Sequence, residues 1–189
     1  MELRSVEELM DLLHACRGAR SDPGGGDPVD PYEHALRTAA LLRRSRPADK
    51  ELQVAGLVHG IGRLLASGDR DGQADRAADA VRPLFGARVS GLVRLHGAAR
   101  RYLVSQQAAF APGHMPRAHG SRVPARQEAP MTPAEAAAFE RDPLADDAVA
   151  LRQAHEAANE AGMNGGVLED WRTVLEMLAS RQVPLGAVD

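Results

Sequence analysis

The sequence has few aromatics, almost no lysine and a single cysteine. Phe, Trp and Tyr make up 3% of the 189 residues: Tyr32, Phe85, Tyr102, Phe110, Phe139 and Trp171. Scattered in this way, they argue against the stacking platform that single-stranded nucleic acids require. One cysteine, Cys16, excludes an internal disulfide framework and a Cys-only zinc site. An excess of one charge sign is also lacking. The 23 Lys+Arg residues face 26 Asp+Glu, a net charge of -3, which argues against a broad basic surface for nucleic acid. No stretch approaches the ~18–20 apolar residues of a membrane span. The acidic start, Met1 to Glu8, lacks the apolar core of a signal peptide. The expectation is a cytoplasmic protein with neither a nucleic-acid nor a membrane partner.

What is present is helix. Ser5 followed by Glu8 reads as a capping box ahead of Leu9, Leu12 and Leu13. Asp30-Pro31-Tyr32-Glu33 supplies an N-cap, a proline at the first helical position and an acidic first turn, opening a helix to about Arg44. Glu51 to Ala66 is apolar nearly all round, which predicts one central buried helix. Ala74–Phe85 and Ala87–Gln106 read as helices broken at Phe85-Gly86. Thr132-Pro133-Ala134-Glu135 restarts helix, and two more follow over about Leu144–Ala161 and Leu168–Arg181. Arg20–Val29 and Phe110–Pro130 read as loops. No strand run or repeat is evident, so the fold class is an all-α, single-domain helical bundle. Residues 1–26 form an N-terminal helix and Gly-rich loop, 27–161 the core, and 162–189 a C-terminal helix packing on it.

Seven histidines remain, and four of them, His34, His59, His96 and His155, fall on four different predicted helices. That is how metal and catalytic sites are assembled inside bundles. Isolated histidines on apolar helices are also ordinary hydrogen-bonded core residues, and composition alone leaves both readings open.

Particular blocks narrow the choice. Glu33-His34-Ala35-Leu36-Arg37-Thr38-Ala39 and Leu57-Val58-His59-Gly60-Ile61-Gly62-Arg63-Leu64-Leu65 resemble the first two elements of the HD-domain superfamily. Arg82-Pro83-Leu84-Phe85, the block from Val93 through His96 to Leu103, Pro130 to Glu135, Ala148-Val149 and Leu151-Arg152 extend the match. In order and content they resemble the branch of mixed-valent di-iron oxygenases that act on organophosphonates. The resemblance spans about Asp27 to Ala161. It implies an HD-type bundle with two metals held by four histidines and two aspartates, one of them bridging.

This sequence departs from that pattern at the metals. The bridging aspartate should follow His59, and Gly60 stands there. No histidine lies between His59 and His96, where the family has one. The terminal aspartate is replaced by His155. The resemblance therefore implies at most one Fe or Zn ion, held by His34, His59 and His155, and a standard di-iron centre is not expected. By the same resemblance Arg100 takes the place of a substrate-contacting lysine, four residues after His96 and on the same helix face. An arginine there would hold phosphonate, phosphate or carboxylate in bidentate fashion. Asp27 falls at an acidic gate position, Tyr32 is a candidate substitute for a gate tyrosine, and Gln127 matches a substrate-side glutamine.

Three readings follow: a single-metal site, metal-free acid–base chemistry by histidines titrating near neutrality, or a binding-only descendant. In the first two, His34, His59, His96 and His155 are the catalytic set, with His96 as a proton-transfer or supporting group. An HD-type phosphohydrolase needs the His-Asp pair that Gly60 removes. No nucleophile elbow or phosphate loop is present. The leading expectation is an enzyme acting on a small anionic metabolite. The alternative is an inactive HD protein that binds a metabolite or a partner protein.

Overall fold

The computed structural model describes residues 2–18, 30–65, 72–110, 129–159 and 163–182. Among these are eight α-helices and no strand, the all-α bundle that the sequence predicts. They are α1 (Val6–Ala15), α2 (Pro31–Ser45), α3 (Lys50–Val58), α4 (Gly62–Leu65), α5 (Gln73–Phe110), α6 (Pro133–Glu140), α7 (Ala145–Ala157) and α8 (Arg172–Ser180). A 3-10 turn, Leu168–Trp171, leads into α8.

The caps form where they are read, although Ser5 and Glu8 close only half of the expected box. Ser5 accepts from the Glu8 amide, while the Glu8 carboxylate takes the Arg4 amide. Asp30 accepts from the Tyr32 amide at 2.9 Å. Thr132 and Glu135 form a complete reciprocal box, satisfying two of the amides that every helix start leaves open.

The single helix expected over Glu51–Ala66 is corrected to two. Helix α3 stops at Val58, His59-Gly60-Ile61 turns, and α4 starts at Gly62. The reason is packing against α5. A Cβ at Gly62 would lie 2.0 Å from the Gln73 carbonyl oxygen, so the chain approaches the start of α5 as only glycine permits. The break expected at Phe85-Gly86 is present as a kink within α5. Gly86 sits there at φ 83°, a region costly for any residue with a side chain.

Burial defines two apolar clusters. The larger gathers Leu3, Leu9 and Leu13 of the N-terminal region with Leu52, Val54, Val81, Phe85, Leu151, Trp171 and Leu175. The smaller joins Ala99, Phe139, Ala145 and Ala148. His96 lies on α5 between Val93 of the first and Ala99 of the second. Polar side chains there meet the seam between two cores.

Candidate metal centre

Four helical segments deliver four imidazoles to one place. His34 comes from the first turn of α2, His59 caps the C-terminus of α3, His96 lies midway along α5, and His155 is near the end of α7. Ring centroids are 4.5 Å apart for His34–His155, 5.0 Å for His59–His155, 4.8 Å for His96–His155 and 5.0 Å for His59–His96. All four are partly buried and line one cavity of about 710 Å³.

The nitrogens fix what the cluster can do. His59 Nδ1 donates to the Gly56 carbonyl at 2.7 Å, which leaves Nε2 of the neutral ring bare. That Nε2 lies 2.9 Å from His155 Nδ1, and His34 Nε2 lies 2.9 Å from the same atom. If His155 Nδ1 is bare it accepts from His34, and two lone pairs face each other across the His59 contact. If it is protonated, its one hydrogen must serve two acceptors. A cation at the convergence resolves the conflict by taking all three lone pairs. The three ligand atoms lie within 4.8 Å of one another. The 2.9 Å separations match the roughly 2.9 Å between adjacent nitrogens, about 90° apart, on a first-row ion with ~2.0–2.1 Å bonds. The donor set fits a metal ion. The Gly56 carbonyl is the outer partner that orients one ligand, as such sites usually require.

The electrostatics favour neutral rings. Burial, reinforced by the guanidiniums of Arg63, Arg37 and Arg152, pushes His34 down to about 4. Burial and the neighbouring His34 push His59 down to about 3. Burial likewise lowers His155 and His96, with His59 adding to the effect in both. The expectation of histidines titrating near neutrality does not hold, whereas neutral imidazole is the ligand form.

His96 is set apart from the other three. Its Nε2 accepts from Arg152 Nη1 at 3.3 Å, and its Nδ1 is buried without a hydrogen-bond partner among the described residues. Arg152, which sequence reasoning assigned no role, lines the cavity, and its Nε donates to Glu156 at 2.9 Å. Its spacing of three residues before His155 on a helix was the available signal.

Arg100 lines the same cavity as His96, in line with their four-residue spacing. Tyr32 does not reach it. This ring stacks on His14 (centroids 5.6 Å apart) and lines a separate cavity of about 530 Å³ with Arg17, Asn164 and Gly166. Two residues before His34 on one helix, it points to a different side of α2. Asp27 and Gln127 lie outside the described residues, as do His114, His119 and most of the two long loops. Gly60 lies on the cavity wall, and a Cβ built there would meet nothing within 4 Å.

No protein-family model matches the chain. It is similar to the hydroxymethylphosphonate dioxygenase of Gimesia maris, 33% identical over 160 residues that cover 79% of this chain and 78% of the relative. It is also similar to the [1-hydroxy-2-(trimethylamino)ethyl]phosphonate dioxygenase (glycine-betaine-forming) of Leisingera caerulea, 29% identical over 148 residues, 73% of each chain.

Proposed function

Because the chain belongs to the family of phosphonate dioxygenases, we propose that it is an oxygenase acting on a small organophosphonate through one metal ion held by His34, His59 and His155. The observation that carries this reading is the convergence of three imidazole nitrogens at 2.9 Å contacts that protons alone cannot satisfy. We read the bundle as an HD-type core in which Gly60 stands at the bridging carboxylate's position. The open space at its Cβ supports that reading.

A redox-active ion such as Fe(II), when bound, would supply the activation of dioxygen and substrate. The chain's own groups do the rest. Gly56 holds the His59 ring so that Nε2 faces the site. Arg100 and Arg152, both on the cavity wall, provide charge for the phosphonate oxygens. The buried seam between the two apolar clusters keeps the imidazoles neutral and limits the water around them. A metal-free acid–base reading loses support, because burial keeps His34 and His59 neutral at neutral pH, with no imidazolium proton to give and little basicity to take one.

The test is metal content followed by turnover. Protein loaded anaerobically with Fe(II) is expected to keep about one equivalent per chain after desalting, lost in His34→Ala and His155→Ala. Exposed to air with hydroxymethylphosphonate, it is expected to consume dioxygen and substrate. Retention of iron by both variants would sink the assignment of ligands. Iron-loaded protein inert toward hydroxymethylphosphonate and other short phosphonates would sink the activity.

A further inference from the structure

Glycine inside a helix costs stability relative to alanine, because it gives up the most backbone freedom on folding. Among the described residues, three glycines lie inside helices without a positive φ: Gly56 of α3, and Gly91 and Gly97 of α5. Packing accounts for the first two. A Cβ at Gly56 would lie 2.6 Å from Leu42 Cδ1, and one at Gly91 would lie 2.7 Å from Leu144 Cδ1. At Gly97 a Cβ would meet nothing within 4 Å beyond its chain neighbours and its own helix backbone. Neither the backbone nor a packed neighbour calls for glycine there.

What Gly97 faces is the cavity. It is exposed on the wall, next to His96 and on the face of α5 that carries Arg100 and Arg101, three and four residues on. Long helical side chains lean back over the preceding turn, which directs these two arginines toward Gly97. Arg101 is drawn off by the Ala129 carbonyl at 3.1 Å and by Glu135 at 2.9 Å. The place of a side chain at 97 is left to the cavity. Among the described residues the aliphatic side chains lining it are only Pro31, Ala35, Ala74 and Ala98, while Gln73 and Asn159 bring amides. Such a wall suits a hydrophilic chain better than a bulky apolar one. A phosphonate at Arg100 has Gly97 about one helical turn away, ~5 Å along α5. Hydroxymethyl stops short of that distance, and a chain of three carbons spans it.

Resting on the phosphonate reading above, we propose that Gly97 sets the size limit of the ligand, its missing side chain opening the cavity beside His96 to a phosphonate with a hydrophilic chain longer than hydroxymethyl.

Calorimetric titration of the full chain in excess Zn(II), an ion without redox chemistry, tests this size rule in the absence of turnover. The probes are hydroxymethylphosphonate and 3-hydroxypropylphosphonate. Wild type is expected to bind the longer one at least as tightly as the shorter. Gly97→Leu is expected to weaken the longer ligand at least about tenfold and to leave the shorter one unchanged. Its thermal midpoint should not fall, since leucine is the better helix former. Gly97→Ala is expected to show the same selectivity more weakly, and serves if the larger variant does not fold. Equal effects on the two ligands, or no effect on either, in a folded variant overturn the proposal. So does a wild type that takes only the shorter ligand. If neither phosphonate binds wild type, the phosphonate reading itself falls, and the size rule with it.

Discussion

At position 60 the presence or absence of one carboxylate decides how much negative charge the histidine-lined cavity offers an ion. Gly60 is exposed on the cavity wall, and a Cβ there meets no heavy atom within 4 Å. A side chain can therefore start there without its Cβ displacing a neighbour. Gly60→Asp is expected to tighten zinc binding at least about tenfold, by adding an anionic group beside three neutral ligands. The thermal midpoint of the metal-free protein should change little. Competition against a chelating dye measures the first and a melting curve the second. Unchanged affinity in a folded variant would mean that position 60 does not face the ion. The four clustered histidines were legible in the sequence because imidazole is chemically specific and each sits in its own helical block. Arg152 was not, because the chain has 22 arginines and no pattern separates one that faces a histidine from those that face water.

Elements are placed by a charge clamp at the far end of the same helices. Arg88 of α5 donates to both carboxylate oxygens of Asp49, the N-cap of α3, at 2.7 Å each. It also donates to Asp147 of α7 at 2.7 Å and to Glu51 at 3.3 Å. Asp49, Arg88 and Asp147 lie eight to ten residues before His59, His96 and His155. At 1.5 Å per helical residue the clamp thus fixes three of the four site segments about 12–15 Å from the clustered histidines. The group is only partly exposed, with side-chain accessibilities of 31% for Arg88 and 20% for Asp147. Arg88→Met should cost about 1–3 kcal/mol in denaturant unfolding. Arg88 holds the Asp49 carboxyl below its ordinary value of 3.8. A depressed acid stabilises the fold fully above its unfolded value and loses that contribution as pH falls through the folded one. Wild type should therefore lose stability more steeply than Arg88→Met below about pH 4. Parallel slopes for the two proteins in acid would remove the clamp from this account. Helix starts were legible because caps are local chemistry. The split between α3 and α4 was not, because it depends on how closely Gly62 meets Gln73, a contact between segments.

For the molecule as a whole, the proposed metal ligands are spread over α2, the end of α3 and α7, segments separated by up to 121 residues between His34 and His155. An ion held there cross-links the bundle, and unfolding must release it. Zinc in hundredfold excess over its dissociation constant adds about 2.7 kcal/mol to stability. For a chain of this length that raises the thermal midpoint by roughly 5–10 °C. The increase should vanish in His155→Ala, which removes the atom where both 2.9 Å contacts meet. It should persist in Arg88→Met, whose melting begins from a lower temperature but whose histidine cluster is untouched. The two variants separate stability that comes from the clamp from stability that comes from the ion. A zinc-induced rise that survives in His155→Ala would place the bound ion elsewhere on the chain. A rise lost in both would mean that the histidines converge only while the clamp holds α3, α5 and α7 in register.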